Sequence, residues 1–216
     1  MPARLFVDPW ERQVTDLEDA LQRARAVADC VTRAVEGKSV DKVRRKLLAG
    51  SAFQLATEHH HSMILLVENQ KIGSALALQR PLFEAFSLGH WLSYWASDSE
   101  VDDFAEGRRK PSLEFLRRAL VDGNPGGPSH ADMQRLVSRM HDLTHGGIGH
   151  LVLRLSASRL GPCYFAEQIV VALDVASWTA GMAALDLAGS VIGDVALASI
   201  LTDEVRAILR NVMQQD

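Results

Sequence analysis

Two oppositely charged residues, Arg80 and Glu84, lie inside a segment whose composition is that of a buried helix. Over residues 73–92, apolar side chains occupy every side of the helical wheel, as in a central helix rather than a surface one. A charge buried without a partner costs several kcal/mol or more. The charged stripe therefore lines a polar cavity or holds an internal ion pair, and both alternatives stay open. Three further residues project onto the same stripe: Gly73, Ser87 and Trp91.

Pro81 lies between the two charges, which are four residues apart and can meet on one helix face. Because proline has no N–H, it cannot donate a hydrogen bond to the carbonyl of Ala77. The sequence therefore predicts a kink at this turn and a freed carbonyl that needs another donor.

Three consecutive histidines, His59, His60 and His61, precede this segment. On a helix they point in directions about 100° apart, so at most two of them can face one site. His61 shares a helix face with Leu65 and Glu68. We predict that His61 is the inward member.

His141 and His145 have the i, i+4 spacing of two metal ligands from one helix. A metal site would have to add His61 and a carboxylate such as Glu84 or Glu58. Since no complete ligand motif such as HExxH occurs, we expect neither a metal nor another cofactor.

The histidines at 59–61, the stretch SALALQRPLFEA at 74–85 and the stretch LTHGG at 143–147 carry a family resemblance. Over about residues 55–150 they resemble uncharacterised bacterial helical proteins with an R-P-L-x-E-A helix and a later His-Gly motif. More distantly, this pattern resembles the HEPN superfamily of helical bundles, many of which are dimeric, metal-independent ribonucleases or defence components.

The HEPN resemblance implies a catalytic Arg followed, after four to six residues, by His, and Arg139 and His145 fit that spacing. It implies that Arg139 stabilises the phosphate and His145 is the acid or base, in a cleft between two subunits. Met140 departs from the polar residue that usually follows the Arg. On a regular helix the two residues point about 120° apart, so the helix must end or unwind early.

A non-catalytic role is the second hypothesis. In it, a helical module binds a small ligand or a protein partner through a cavity lined by Arg80, Glu84, His61 and Trp91. The sequence does not decide whether the protein is an enzyme.

The composition is that of an ordinary globular domain, with 47% hydrophobic and 23% charged residues. A net charge of −4 gives no strong signal for DNA binding, although a local RNA contact remains compatible with it. No signal peptide is evident, and Cys30 and Cys163 lie far apart in the chain, so we predict a cytoplasmic location.

One stretch, 165–192, is long and apolar enough for a membrane span. It carries Glu167, Asp174 and Asp186, which are costly at membrane depth, so a buried helix is predicted and no membrane contact is expected. Asp174 then needs a cationic partner, for which Arg80 is a candidate, or it faces solvent.

Helix signals dominate the whole chain: Ser39 is the predicted cap of the second helix, and His145-Gly146-Gly147 is a strong stop signal for a helix that begins at 129 or 130. We predict a single all-α domain over residues 1–216, a HEPN-like bundle of about seven or eight helices. The segment 122–129 is a loop excursion, because Gly and Pro cluster there. Only 151–160 is ambiguous, with alternating leucines that also suit a short strand. Small residues over 176–189 favour a crowded core or a subunit interface, and we expect a homodimer.

Overall fold

The computed structural model describes residues 9–123, 129–154 and 163–210, with side chains from residue 16 onward. Within these ranges the chain is all-α, as predicted, and no strand occurs. Two short helices, α3 and α8, add to the predicted set. The helices are α1 (Pro9–Val35), α2 (Arg44–Glu68), α3 (Ile72–Ala77), α4 (Gln79–Tyr94), α5 (Asp98–Ala105), α6 (Leu113–Asp122), α7 (His130–Thr144), α8 (Ile148–Val152), α9 (Ala166–Asp186) and α10 (Val195–Leu209), and a π-helical segment (Leu187–Ile192) follows α9.

Helix α9 is the centre of the bundle, where it packs against α1, α2, α4 and α10. Gly181 lets α10 approach α9 closely, because a Cβ atom at this position would lie 2.7 Å from Cγ1 of Val205. The stretch Ala166–Ile192 is long and apolar enough to cross a membrane by length and composition, yet 56% of its most apolar window is buried. This burial supports the predicted core helix.

The carboxylate of Asp174 on α9 forms a bidentate ion pair with Arg23 of α1, at 2.9 and 3.0 Å. Burial raises the pKa of Asp174, and this effect outweighs the opposing effect of Arg23. Asp174 thus has the cationic partner that one alternative required, but this partner is Arg23 and not the candidate Arg80. Arg80 lies where α4 meets α7, whereas Asp174 is turned toward α1.

Helices α2 and α4 form the most extensive helix pair. The ring of Phe53 lies against the backbone of Gly89, where a Cβ atom would come within 2.6 Å of the ring. Between the two helices the chain reverses at Gln70, which has a φ of 57°. The stretch that leads from α2 toward α4 is therefore a true turn and not the interior of one long helix.

Helix α2 begins at Arg44, later than the predicted cap at Ser39. Asp41 lies before the helix, where it accepts a 2.6 Å bond from Lys46. The first turn of α2 contacts the end of α4 through a side chain. The guanidinium of Arg45 donates to the carbonyls of Leu92 and Ala96, at 2.6 and 2.7 Å, and so caps the end of α4.

The inward histidine of α2 is His60, with no exposed surface, and the prediction of His61 is wrong. Leu65, on the face assigned to His61, is 59% exposed, because α4 and α9 cover the neighbouring face of α2. His61 is half-buried, and its Nδ1 atom binds the carbonyl of Thr57 at 2.9 Å.

The ambiguous segment 151–160 continues as helix α8 through Val152 and turns at 153–154. The rest of that segment, like 124–128 of the predicted loop, lies outside the described residues.

Candidate functional site

Arg80 lies in the first turn of α4, on the side that meets α7. Its Nε atom donates to Oε1 of Glu84 at 2.8 Å, so the predicted contact between the two charges is present. The side chains are 20% and 40% exposed respectively. The pair therefore lies at the edge of the bundle, where water reaches it, and not in a closed core.

The same guanidinium binds two histidines of α7. Nη1 of Arg80 donates to Nε2 of His145 at 2.7 Å and also to Nδ1 of His141. The two imidazole rings are 4.5 Å apart between centroids, and both residues are exposed. Because a guanidinium only donates, each of these ring nitrogens must present its lone pair.

A hydrogen bond from Thr144 holds α7 in this position. Its hydroxyl lies 3.0 Å from the carbonyl oxygen of Ala77 and 2.9 Å from that of Met140. Ala77 has the carbonyl that Pro81 leaves without its helical donor. The predicted need for another donor is thus confirmed, and the donor places the end of α7 beside Arg80.

The end of α7 follows the predicted stop signal. His145 is the last residue of the turn, and Gly146 has a φ of 63°, in the left-handed region. A Cβ atom on Gly147 or Gly149 would collide with the carboxylate of Asp142, at 1.5 and 2.0 Å respectively. The glycines therefore let the chain fold back over Asp142 into α8.

A cleft of about 240 Å³ lies on the other flank of α7, among α3, α7, α8 and α9. Arg139 and the buried Gln79 line it. Its other lining residues are Leu76, Leu136, Met140, Asp142, Leu143, Gly149, Leu153, Gln168, Val171, Ala172 and Val175.

The structure brings some of the predicted site residues together and separates others. Arg80, Glu84 and His145 form one cluster, which His141 completes. Trp91 is 2% exposed and packs edge-on against Phe115 within the core.

Arg139 and His145 are not joined by a hydrogen bond. The cleft is lined by Arg139 but not by His145, Arg80, Glu84, His61 or Trp91.

Among the residues that the structure describes, no three His, Cys, Asp or Glu side chains are grouped as a metal site would need. The lone pairs of His141 and His145 are directed at the cationic guanidinium of Arg80. This arrangement does not suit the metal interpretation of the two histidines, because a cation already occupies their common side.

Residues 53–195 match DUF6988, a family of unknown function. The matched range is well over half of the chain and includes Arg80, Glu84, His141 and His145. The chain belongs to the DUF6988 family. No curated protein and no solved structure matches it. The expected resemblance to an uncharacterised helical family, placed at about 55–150, thus corresponds to a longer match.

A second polar cluster in this DUF6988 protein was not predicted from the sequence. Asp186, at the end of α9, accepts hydrogen bonds from Nδ1 of His90 at 2.5 Å and from the hydroxyl of Tyr94 at 3.0 Å. Burial and the adjacent Asp186 carboxylate raise the pKa of Tyr94 to about 12. The only sequence signal was a carboxylate in an apolar helix, and nothing local identified its partners on α4.

His60 forms a third polar contact, within the core. Its Nε2 atom lies 3.1 Å from the hydroxyl of Ser177 on α9, and its Nδ1 atom has no partner among the described residues. Burial lowers the pKa of His60 to about 3, so the ring is neutral in the folded protein at physiological pH.

Proposed function

We propose that the cluster of Arg80, His141 and His145 cleaves RNA without a metal ion. The observation that carries this proposal is the single nitrogen of Arg80, which binds both imidazoles at a solvent-accessible edge of the bundle. A guanidinium suits a phosphate, and imidazole is the side chain that most often transfers protons near neutral pH.

The two histidines take opposite roles in this reaction. One imidazole accepts the proton of the ribose 2′-hydroxyl, whose oxygen forms a bond to phosphorus. The bond from phosphorus to the 5′ oxygen breaks, and the other imidazole, protonated in the substrate complex, gives its proton to that oxygen. Arg80 stabilises the charge that develops on the phosphate oxygens. The products are a 2′,3′-cyclic phosphate and a 5′-hydroxyl end.

The hydrogen bonds of Arg80 in the free protein determine the first step of the proposed cleavage. Neither imidazole can accept a proton from substrate while its lone pair is bound by Arg80. Because the other imidazole must carry a proton, both rings must leave Nη1, and a phosphate oxygen takes their place as its acceptor. Glu84 stays bound to Nε of Arg80 and holds the guanidinium plane during this exchange.

This proposal keeps the ribonuclease class that the HEPN resemblance implies and changes one of its residues. His145 retains its role as acid or base, whereas Arg80 takes the phosphate-binding role that the resemblance gives to Arg139. Arg139 forms no hydrogen bond or ion pair with the residues described here.

A homodimer and a cytoplasmic location belong to the same proposal. Helix α8, next to the cluster, exposes more than half of three apolar side chains, Ile148, Leu151 and Val152. Contiguous exposed apolar surface is typical of subunit contacts. Sedimentation equilibrium of the purified protein tests the dimer.

The test of the activity is RNA cleavage in EDTA by the purified protein. Arg80→Gln, His141→Gln and His145→Gln are each expected to lower the rate by about 100-fold or more, since general acid–base catalysis contributes this much. Arg135→Gln is the matched control, because Arg135 is an exposed arginine of α7 that pairs with Asp132. Melting temperatures establish that each variant folds.

Two results contradict the proposal. One is the absence of cleavage by the wild type on single-stranded and hairpin RNAs. The other is loss of activity in Arg139→Gln and His145→Gln while Arg80→Gln stays active. That second result would assign the chemistry to the Arg139 and His145 spacing.

A further inference from the structure

The cleft beside α7 has the size and lining of a site for a small amphipathic molecule. Its volume of about 240 Å³ is many times what a single water needs, so the cleft has room for a small organic molecule. Most of the lining is aliphatic, with leucines of α3 and α7 facing Val171, Ala172 and Val175 of α9. Such a lining favours a short hydrocarbon body.

One cationic group at the cleft lacks a counter-charge. Arg139 is exposed and lines the cleft, so it lies at the rim, and it has no ion-pair partner among the described residues. Arg135, one turn earlier on the same helix, is paired with Asp132. Arg139 is thus available to bind an anion at the opening of an apolar space.

Asp142 and Gln79 are further polar residues of the cleft lining. The Asp142 carboxylate is directed at the backbone of Gly147 and Gly149, where the missing Cβ atoms make room for it, and so turns toward α8. Gln79 is only 7% exposed, and its amide nitrogen reaches the carbonyl of Ala172 at a long 3.4 Å. The cleft therefore has a cationic rim, an apolar body and two side-chain amides, those of Gln79 and Gln168, in its wall.

We propose that this cleft binds a medium-chain monocarboxylate, with the carboxylate on Arg139 and the hydrocarbon chain between α3, α7 and α9. A carboxylate matches the planar, bidentate geometry of a guanidinium. A single negative charge suits the site better than a dianion, because Asp142 also lines the cleft. An RNA strand would leave the aliphatic wall without a partner, so this ligand is distinct from the substrate of the Arg80 cluster.

Octanoate is the probe, because it joins one carboxylate to an unbranched aliphatic chain. Isothermal titration calorimetry of the full chain is expected to show saturable binding of one octanoate per chain. Arg139→Gln is expected to weaken the affinity by about tenfold or more, since the charge-assisted pair is lost. Val171→Trp narrows the cleft from the partly exposed side of α9 and is expected to weaken binding without any change of charge.

Two controls separate the charge from the cavity. Arg135→Gln removes an equal charge from the same helix outside the cleft, and its affinity for octanoate is expected to match the wild type. Octanamide has the same chain without the negative charge, so the wild type is expected to bind it more weakly than octanoate. Because the readout is heat of binding, it is independent of whether the protein cleaves RNA.

The proposal is overturned if octanoate shows no saturable binding up to about 10 mM, a concentration well above the dissociation constant expected for this cleft. It is also overturned if Arg139→Gln binds octanoate as tightly as the wild type. Equal affinity for octanamide and octanoate would contradict the assignment of the charge to Arg139.

Discussion

The hydroxyl of Thr144 lies 3.0 Å from the carbonyl oxygen of Ala77, and this contact joins α7 to the helix break before Pro81. Proline removes the donor that a continuous helix would supply to Ala77, so a side chain from another helix supplies it. In sequence, Thr144 lies between the two histidines that bind Arg80. The geometry of the Arg80 cluster therefore depends on a hydrogen bond outside the cluster.

Replacing Thr144 by valine tests this dependence. Thr144→Val keeps the volume of the side chain but leaves the Ala77 carbonyl without its donor, which costs about 1–2 kcal/mol of unfolding free energy. We also expect a loss of RNA cleavage, because His141 and His145 are no longer held against Arg80. Urea denaturation and the cleavage assay measure the two effects.

Thr202→Val is the control for that change. Among the described residues the Thr202 hydroxyl bonds only the carbonyl of Ala198 in its own helix, at 2.8 Å, so its loss should leave cleavage unaltered. If Thr144→Val cleaves RNA at the wild-type rate, the interhelical bond has no role in the site.

Inorganic phosphate is expected to inhibit cleavage in competition with RNA, since it offers the same oxygen acceptors to Arg80. The apparent KM should rise with phosphate concentration while kcat stays constant. Sodium chloride at matched ionic strength gives the general screening effect alone. Equal inhibition by both salts would show that no specific anion site takes part.

Gly89 is expected to be among the least replaceable residues of the core. In Gly89→Ala the new methyl group would lie 2.6 Å from the ring of Phe53, which is fully buried and cannot move aside. Overpacking of this kind costs about 1–3 kcal/mol. Thermal unfolding measures the loss. Gly189→Ala is the matched substitution, because its Cβ atom meets Ala198 at an ordinary 3.6 Å and should be tolerated.

Acid is expected to destabilise the fold through His60. Its pKa is lowered to about 3 in the folded protein, from a usual value of 6.5, mainly by burial and secondarily by the neighbouring His61. Below pH 6.5 the His60 ring is protonated in the unfolded chain but not in the folded one. The free energy of unfolding therefore falls as the pH drops toward 3. At pH 5 this amounts to about 2 kcal/mol.

The variant His60→Gln isolates that contribution. Glutamine can still bind the hydroxyl of Ser177 but does not titrate, so the fall in unfolding free energy from pH 7 to pH 5 should be smaller than in the wild type. Chemical denaturation at both pH values gives this difference. An identical fall in the two proteins would mean that His60 takes up no proton on unfolding.

How far the sequence predicts this molecule depends on the range of each interaction. The break before Pro81 and the helix end at His145 are local and were predicted, and the local contact of Arg80 with Glu84 was one of two open alternatives. The donor to Ala77 is 67 residues away and could only be stated as a need. Packing decides which of several suitable partners is used.

The histidines show the same limit. That only some of the three consecutive histidines face inward follows from helix geometry, whereas the choice of His60 depends on where α4 and α9 lie. The partner of Asp174 could not be chosen from charge alone, since Arg23 and Arg80 carry the same group. The Asp186 cluster depends on a contact between helices that are distant in sequence.

The two buried carboxylates of α9 also bear on how this helix folds while the chain is being synthesised. Asp174 is paired with Arg23 and Asp186 with His90, and both partners precede α9 in the chain. When this apolar helix leaves the ribosome, the residues that bind its two carboxylates have already been made. The helix with the composition of a membrane span can therefore find its place in the bundle as it emerges, before α10 is made.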